Sequence, residues 1–97
     1  MRKDNVLGFL GILFRGHKAL IGMEARESNK GKMAFLAFDA SENSKKDVNA
    51  LLEGIPVNKR YSKIELGEAL GYPEVSFILI IDKKAAASLE EKEKETI

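Results

Sequence analysis

Two apolar runs, the second containing one polar residue, Ser76, dominate the hydrophobic pattern of the chain, and both have the length of a β-strand. They span residues 33–38 and 75–81 and lack the alternation that marks a strand with one exposed face. Strands of this kind are covered on both faces, which requires helices above and below a central sheet. Two shorter segments, 19–21 and 55–59, complete the predicted sheet, and Pro56 suits the beginning of a strand or an edge strand.

Five helices are predicted around these strands. Apolar residues recur at helical spacing in the first and third, the second has few apolar residues and should be short and exposed, and the last is rich in Ala, Glu and Lys and should be solvated. The predicted helices span residues 4–14, 23–29, 43–53, 63–70 and 83–95, and the end of the last one, about residues 90–97, is expected to fray. Ser62 and Glu65 can form a capping box at the start of the fourth helix, and Gly71 and Pro73 are expected to end it. The alternating order of helices and strands predicts a three-layer α/β/α sandwich with a four-stranded mixed sheet.

Three glycines and the single histidine predict a close helix contact and two turns in the first third of the chain. Gly8 and Gly11 lie three residues apart in the first helix, so we expect close packing against a neighbouring element there. His17 is predicted to close the turn after that helix, because histidine tolerates left-handed backbone angles better than most residues. Gly22 is predicted to form the turn into the second helix.

The composition predicts one globular domain over residues 1–97. Apolar residues make up 44% of the chain and charged residues 32%, values at which neither disorder nor a coiled coil is expected. The apolar run 6–14 is too short to span a bilayer. Its flanks, with Asp4 before it and Arg15 and Lys18 after it, do not fit a secretory signal. We therefore expect a cytoplasmic protein with no membrane partner.

Charge is unevenly distributed although the net charge is only +1. Residues 1–63 contain 12 Lys and Arg against 7 Asp and Glu, a net +5, whereas residues 64–97 contain 4 against 8, a net −4. A polyanion is therefore expected to meet the first two thirds of the chain.

No catalytic or cofactor-binding constellation is present, so neither an enzyme nor a cofactor or metal site is predicted. The chain has no cysteine, its only histidine is His17, and its glycines fit neither the dinucleotide nor the P-loop spacing. Asp39 and Asp82 each follow a buried strand and could form a carboxylate pair at one end of the sheet. The favoured interpretation is that each caps the helix that follows it.

Three stretches of the sequence together indicate a family. They are Arg15-Gly16-His17-Lys18 leading to Gly22-Met23-Glu24, then Asp39-Ala40-Ser41-Glu42-Asn43, then Ser62-Lys63-Ile64-Glu65-Leu66-Gly67-Glu68-Ala69-Leu70-Gly71. In this order, ahead of an apolar last strand, they resemble the kink-turn-binding ribosomal protein superfamily (the L-seven-Ae family), especially its small bacterial YlxQ-like branch. The resemblance covers about residues 7–89.

The resemblance implies the same sandwich fold and the binding of a sharply bent internal loop in structured RNA. That RNA would be rRNA or another kink-turn RNA, and the protein could be associated with the ribosome. The protein would bind the RNA as a monomer. The turn Gly22, Met23 and Glu24 would read the bases, with Lys18 on the phosphate side, and the apolar loop Tyr72-Pro73-Glu74-Val75 would cover the extruded nucleotide. The RNA-binding surface would also include Arg26, and Lys30 and Lys32 would add phosphate contacts.

A second interpretation stays open from the residues themselves. Met23 offers no hydrogen-bonding group where archaeal members of the family have asparagine, and the low net charge does not favour a polyanionic ligand. A protein-interaction or regulatory module could keep the sandwich without kink-turn recognition. In that case Met23, Tyr72 and Val75 would form an apolar patch for a protein partner.

Overall fold

A four-stranded mixed sheet with helices packed against it forms the protein, as the hydrophobic pattern predicted. The structure is a computed structural model and describes residues 5–95. Its elements in chain order are α1 (Asn5–Arg15), β1 (Ala19–Leu20), α2 (Gly22–Glu27), β2 (Met33–Leu36), α3 (Glu42–Asn49), β3 (Val57–Asn58), α4 (Lys63–Leu70), β4 (Phe77–Ile80) and α5 (Lys83–Glu95). The predicted helix start at position 4 and the last two residues of the predicted frayed end lie outside the described residues.

Strand directions determine which loops meet at each end of the sheet. The strand order is β1-β4-β2-β3, with β1 and β2 antiparallel to β4 and β3 parallel to β2. The chain therefore leaves β1 and β2 at the end of the sheet where β4 begins. We call this the upper end. The opposite end, where β1 and β2 begin and β4 finishes, is the lower end.

The core lies on both faces of the sheet, as expected for strands with no exposed side. Every residue of β2 and β4 is buried. Because side chains alternate along a strand, Phe77 and Leu79 face one layer while Ile78 and Ile80 face the other. On the first face, Phe77 lines a depression together with Arg26 of α2, and Leu79 lines another together with Leu51 after α3. On the other face, α1 packs against α4 and α5.

The observed strands are shorter than the predicted ones because the backbone changes partners at their ends. After Leu36, the N–H of Ala37 donates to the Ser76 carbonyl at 2.9 Å, and the N–H of Phe38 donates to the Tyr61 carbonyl at 3.1 Å. Phe38 leaves the sheet as a result, and 57% of its surface is exposed. The expectation that the run 33–38 is covered throughout is therefore wrong at Phe38. The third helix is also shorter than the predicted span 43–53. It ends at Asn49, and residues 50–52 form a separate 3-10 turn.

Helix caps follow the predictions in all but one case. The capping box of Ser62 and Glu65 is present at the start of α4, and an Asp82 oxygen accepts a hydrogen bond from the N–H of Ala85 in α5. Asp39 does not cap the helix that follows it. Its carboxylate accepts from the N–H of Lys63 at 2.8 Å, at the start of α4, and Ser41 caps α3 instead.

The carboxylate pair of Asp39 and Asp82 does not form. Asp39 follows β2 and Asp82 follows β4, and these two strands are antiparallel neighbours. The two side chains therefore lie at opposite ends of the sheet. The predicted turn residues do have the expected backbone angles, with φ of 62° at His17 and 63° at Gly22.

The two glycines of α1 have different surroundings. A Cβ on Gly11 would lie 2.5 Å from the carbonyl oxygen of Ala69 in α4, so this glycine permits the close approach of α1 and α4. A Cβ on Gly8 would meet nothing within 4 Å. The expected close packing is confirmed at Gly11 and is wrong at Gly8.

Substituting these two glycines with alanine is expected to change stability in opposite directions. Gly11→Ala should lower the free energy of unfolding by about 1–2 kcal/mol, because overpacking must separate two backbones. Gly8→Ala should raise it by about 0.5–1 kcal/mol, since alanine restricts the unfolded chain and favours an exposed helix position. Urea denaturation of both variants measures the difference. A Gly11→Ala protein as stable as Gly8→Ala would contradict the close contact of α1 with α4.

Candidate functional site

The upper end of the sheet brings together two of the segments that the sequence singled out. The chain passes from β1 through Ile21 into α2 at this end, and the loop 72–76 leads into β4 at the same end. The two segments lie side by side because β1 and β4 are paired, with Leu20 opposite Leu79. The turn and the loop therefore form one continuous surface.

The α2 turn is extended and then left-handed, which exposes its side chains. Ile21 caps the helix in an extended conformation without a side-chain hydrogen bond, and Gly22 follows with φ of 63°. Met23 and Glu24 are exposed in the first turn, while Ala25 points into the core. The carboxylate of Glu24 makes no hydrogen bond or ion pair with any described residue. Its oxygens are therefore accessible to a ligand.

Helix α4 holds the loop 72–76 in place. The carbonyl of Gly67 accepts hydrogen bonds from the N–H groups of Gly71 and Tyr72, both at 2.9 Å. The N–H of Val75 then donates to the carbonyl of Lys63 at 3.0 Å. A Cβ on Gly67 would lie 2.7 Å from the Tyr72 carbonyl oxygen, so the loop runs directly over this glycine. Gly67 thus allows the loop to lie against α4.

Side-chain contacts fix the loop further. The Tyr72 ring packs edge to face on Phe14 of α1, with ring centroids 5.8 Å apart at 76°. The Lys63 ammonium lies 3.5 Å from a Glu74 carboxylate oxygen. Tyr72 is still 46% exposed, so one part of its ring is anchored and the other part is open to solvent.

A shallow depression of about 260 Å³ separates the α2 turn from the loop. Its walls are Ile21, Gly22 and Arg26 on one side and Tyr72, Glu74, Val75, Ser76 and Phe77 on the other. Arg26 is oriented beside it by an ion pair with Asp47 of α3, with 3.8 Å between Nη1 and Oδ2. The depression combines an apolar floor with a guanidinium group and a carboxylate at its rim.

Exposed apolar side chains are concentrated at the upper end. Among the described residues, the large hydrophobic side chains that are exposed are Ile12, Met23, Phe38, Ile64 and Tyr72. All except Ile12 belong to segments that converge at the upper end of the sheet. The Asp39 carboxylate accepts a hydrogen bond from the N–H of Lys63. Phe38 directly precedes Asp39 and Ile64 directly follows Lys63, so this bond brings their two segments together. A surface of this kind is typical of a binding site.

Val75 does not contribute to the predicted apolar patch. Only 6% of its surface is exposed, because its backbone bond to Lys63 draws it inwards, so its place in that patch is wrong. Phe38 and Ile64, which sequence reasoning missed, are exposed there instead. Glu68, four residues after Ile64 and therefore on the same face of the helix, was a signal for exposure of that position.

Lysine side chains that the resemblance placed near the RNA lie away from this surface. The carbonyl of Lys18 accepts from the N–H of Ile81 at 3.0 Å, and the N–H of Lys32 donates to the carbonyl of Ile80 at 2.7 Å. Both residues therefore lie at the lower end, and so does Lys30, two residues before Lys32. The structure brings Gly22, Arg26, Tyr72, Glu74 and Val75 together around the depression, with Met23, Glu24 and Pro73 in the same two segments.

The fold of this chain is found in a solved structure. It is similar to a protein of unknown function from Bacillus halodurans, with a TM-score of 0.78 and 25% sequence identity over 93% of this chain and 97% of that one. No protein-family model matches the chain, and neither does any curated protein sequence. These findings establish an α/β fold with a four-stranded mixed sheet. Within the described residues, no helix has both the length and the apolar character that crossing a membrane requires.

Proposed function

We propose that the protein binds structured RNA at the upper end of the sheet, at a bent internal loop with an unstacked base. The depression between the α2 turn and the loop 72–76 is the observation that carries this proposal. Its size, its apolar floor and its polar rim suit a nucleobase that has left the helical stack. The resemblance to kink-turn-binding ribosomal proteins also supports a structured RNA as the ligand, either rRNA or another kink-turn RNA.

The exposed aromatic residues support a ligand with unstacked bases. Proteins recognise single-stranded loops and bulges by stacking splayed bases on aromatic side chains. Tyr72 offers such a ring beside the depression, and its contact with Phe14 holds it in place without covering it. The ring needs little reorganisation before a base stacks on it.

Polar groups at the rim of the depression and in the adjacent α2 turn support recognition of base edges. A carboxylate accepts hydrogen bonds from the amino groups of bases. Glu24 is exposed in the first turn of α2 and has no partner among the described residues. Arg26 lies against the depression and supplies the donor that a phosphate or base oxygen needs.

A protein partner is the second candidate, and the charges of the upper end favour it. Arg26 and Lys63 beside the depression are ion-paired with Asp47 and Glu74, and Glu24 has no cationic partner among the described residues. This surface therefore carries no excess of positive charge. Exposed Met23, Phe38 and Ile64 would then pack against an apolar surface of the partner. This candidate predicts no preference for kinked RNA over an unkinked duplex.

Tyr72 variants test the proposed RNA site. Tyr72→Ala should weaken binding to a kink-turn RNA by about 1–3 kcal/mol, roughly fivefold to 150-fold, because base stacking is lost. Tyr72→Phe keeps the ring and should bind nearly as tightly as the wild type. Fluorescence anisotropy with labelled RNA measures both affinities.

The matched pair separates stacking from folding. Both variants should keep the circular dichroism spectrum of the wild type. Equal affinities of the Ala and Phe variants for kinked RNA would contradict a stacking role for Tyr72, and loss of binding by both would indicate that the hydroxyl matters instead.

A further inference from the structure

The lower end of the sheet carries a second surface, distinct from the depression, in which positive charge is concentrated. Its residues come from three segments that are far apart in sequence, and all of them are exposed: Lys18, Lys30, Lys32, Lys83 and Lys84. None of these lysines forms an ion pair with a described residue. The candidate site at the upper end has no such excess.

The sheet fixes the relative positions of these lysines. Lys18 is bonded to one side of the end of β4 through Ile81, and Lys32 is bonded to the other side through Ile80. Because neighbouring strands lie about 4.8 Å apart, the backbones of these two lysines are about 10 Å apart across β4. The chain then turns at Asp82 and places Lys83 and Lys84 in the first turn of α5.

Few carboxylates adjoin this surface. Asp82 is engaged in capping α5, where one of its oxygens accepts from the N–H of Ala85 at 2.9 Å. Glu27, at the end of α2, and Glu53, which lines a depression together with Asn29 and Gly31, are the other carboxylates adjoining these segments. Five lysines against three carboxylates give a net +2, in a chain whose total charge is +1. Positive charge is therefore concentrated at the lower end, and acidic residues elsewhere in the chain bring the total charge close to zero.

We propose that the lower end binds the phosphate backbone of an RNA helix without reading its sequence. Lysine suits this role because its ammonium group is a compact charge on a flexible stem, which follows a backbone without requiring a fixed geometry. Lysines whose backbones are held about 10 Å apart on a rigid frame can meet phosphates on one face of a helix. This surface goes beyond the proposed RNA site, because it requires neither a kink nor an unstacked base.

The salt dependence of binding tests this surface directly. The probes are a uniform RNA duplex of about 20 base pairs and the same duplex with a kink-turn, each titrated between about 50 and 200 mM salt. The triple variant K18Q/K32Q/K84Q should reduce the slope of log affinity against log salt by about 3 for both RNAs, one unit for each lysine. The matched control K46Q/K59Q/K94Q removes the same charge from exposed positions elsewhere and should keep the wild-type slope.

The outcomes separate this surface from the proposed site at the upper end. Equal slopes for the triple variant and the wild type, or an equal reduction in the control, would overturn the backbone-binding surface. So would a wild-type protein that binds neither RNA at low salt, or one that binds anionic phospholipid vesicles but no RNA. Equal binding to both RNAs with a slope that depends on the three lysines would support the lower end and contradict the upper site. Preference for the kinked RNA, with a slope that the triple variant leaves unchanged, would support the upper site and contradict the lower end.

Discussion

Gly67→Ala is expected to lower the free energy of unfolding by about 1–2 kcal/mol and to remove discrimination between kinked and unkinked RNA. A Cβ at this position would lie 2.7–2.9 Å from backbone atoms of Tyr72 and Glu74, which are not free to rotate away as a side chain would be. Overpacking of this kind costs about 1–3 kcal/mol or more, and it outweighs the gain in helix propensity of about 1 kcal/mol. The loop must lift from α4, and Tyr72 moves with it.

Urea denaturation and RNA titration of the same variant measure the two effects. Gly8→Ala is the matched control, because it makes the same substitution in a helix where the new Cβ meets nothing within 4 Å. A Gly67→Ala protein with wild-type stability and wild-type preference for kinked RNA would contradict the role of α4 in holding the loop.

Asn58→Asp is expected to lower the free energy of unfolding by about 3 kcal/mol at neutral pH, with much of the loss recovered in acid. Asn58 is the buried polar residue of the described core, with 7% of its surface exposed. Its amide donates to a Glu93 oxygen at 2.7 Å and its carbonyl oxygen accepts from the N–H of Arg60 at 2.8 Å, so it joins β3 to α5. The substitution keeps the acceptor but places a second carboxylate against Glu93.

The direction of the pH dependence follows from proton binding. Two carboxylates at this distance favour sharing a proton in the folded state, so the folded state binds more protons than the unfolded state near neutral pH. Stability relative to the wild type therefore falls as the pH rises from about 4 to 7. Asn58→Ala is the control, since it removes the hydrogen bonds without adding charge and should cost a similar amount at both ends of this range. Parallel losses for both variants, measured by denaturation at pH 4.5 and 7, would contradict the contact between Asn58 and Glu93.

Local signals account for the parts of the fold that the sequence predicted closely. The bounds of α4 were predicted as observed, because Ser62 and Glu65 begin this helix through a capping box and Gly71 ends it with φ of 87°. The covered strands were also predictable, because β2 and β4 have no polar position. Signals of this kind lie within a few residues of the structure they determine.

Features that depend on distant partners could not be predicted in the same way. Phe38 leaves the sheet because its N–H bonds to Tyr61, and Asp39 caps a helix that begins 24 residues later. Lys18 lies four residues before Gly22, yet an extended strand of that length separates the two by about 13 Å and places them at opposite ends of the sheet. Strand direction therefore divides the predicted RNA-binding residues into two surfaces. The local sequence pattern does not indicate in which direction a strand runs, so this division could not be predicted.

The affinity of the wild-type protein for a kink-turn RNA, relative to the same duplex without the kink, tests the account most directly. Both titrations are made at one salt concentration, so that contacts with the phosphate backbone contribute equally. A site for an unstacked base predicts a preference of at least about tenfold for the kinked RNA, equivalent to about 1.4 kcal/mol. Equal affinities for the two RNAs would contradict RNA recognition at the upper end of the sheet.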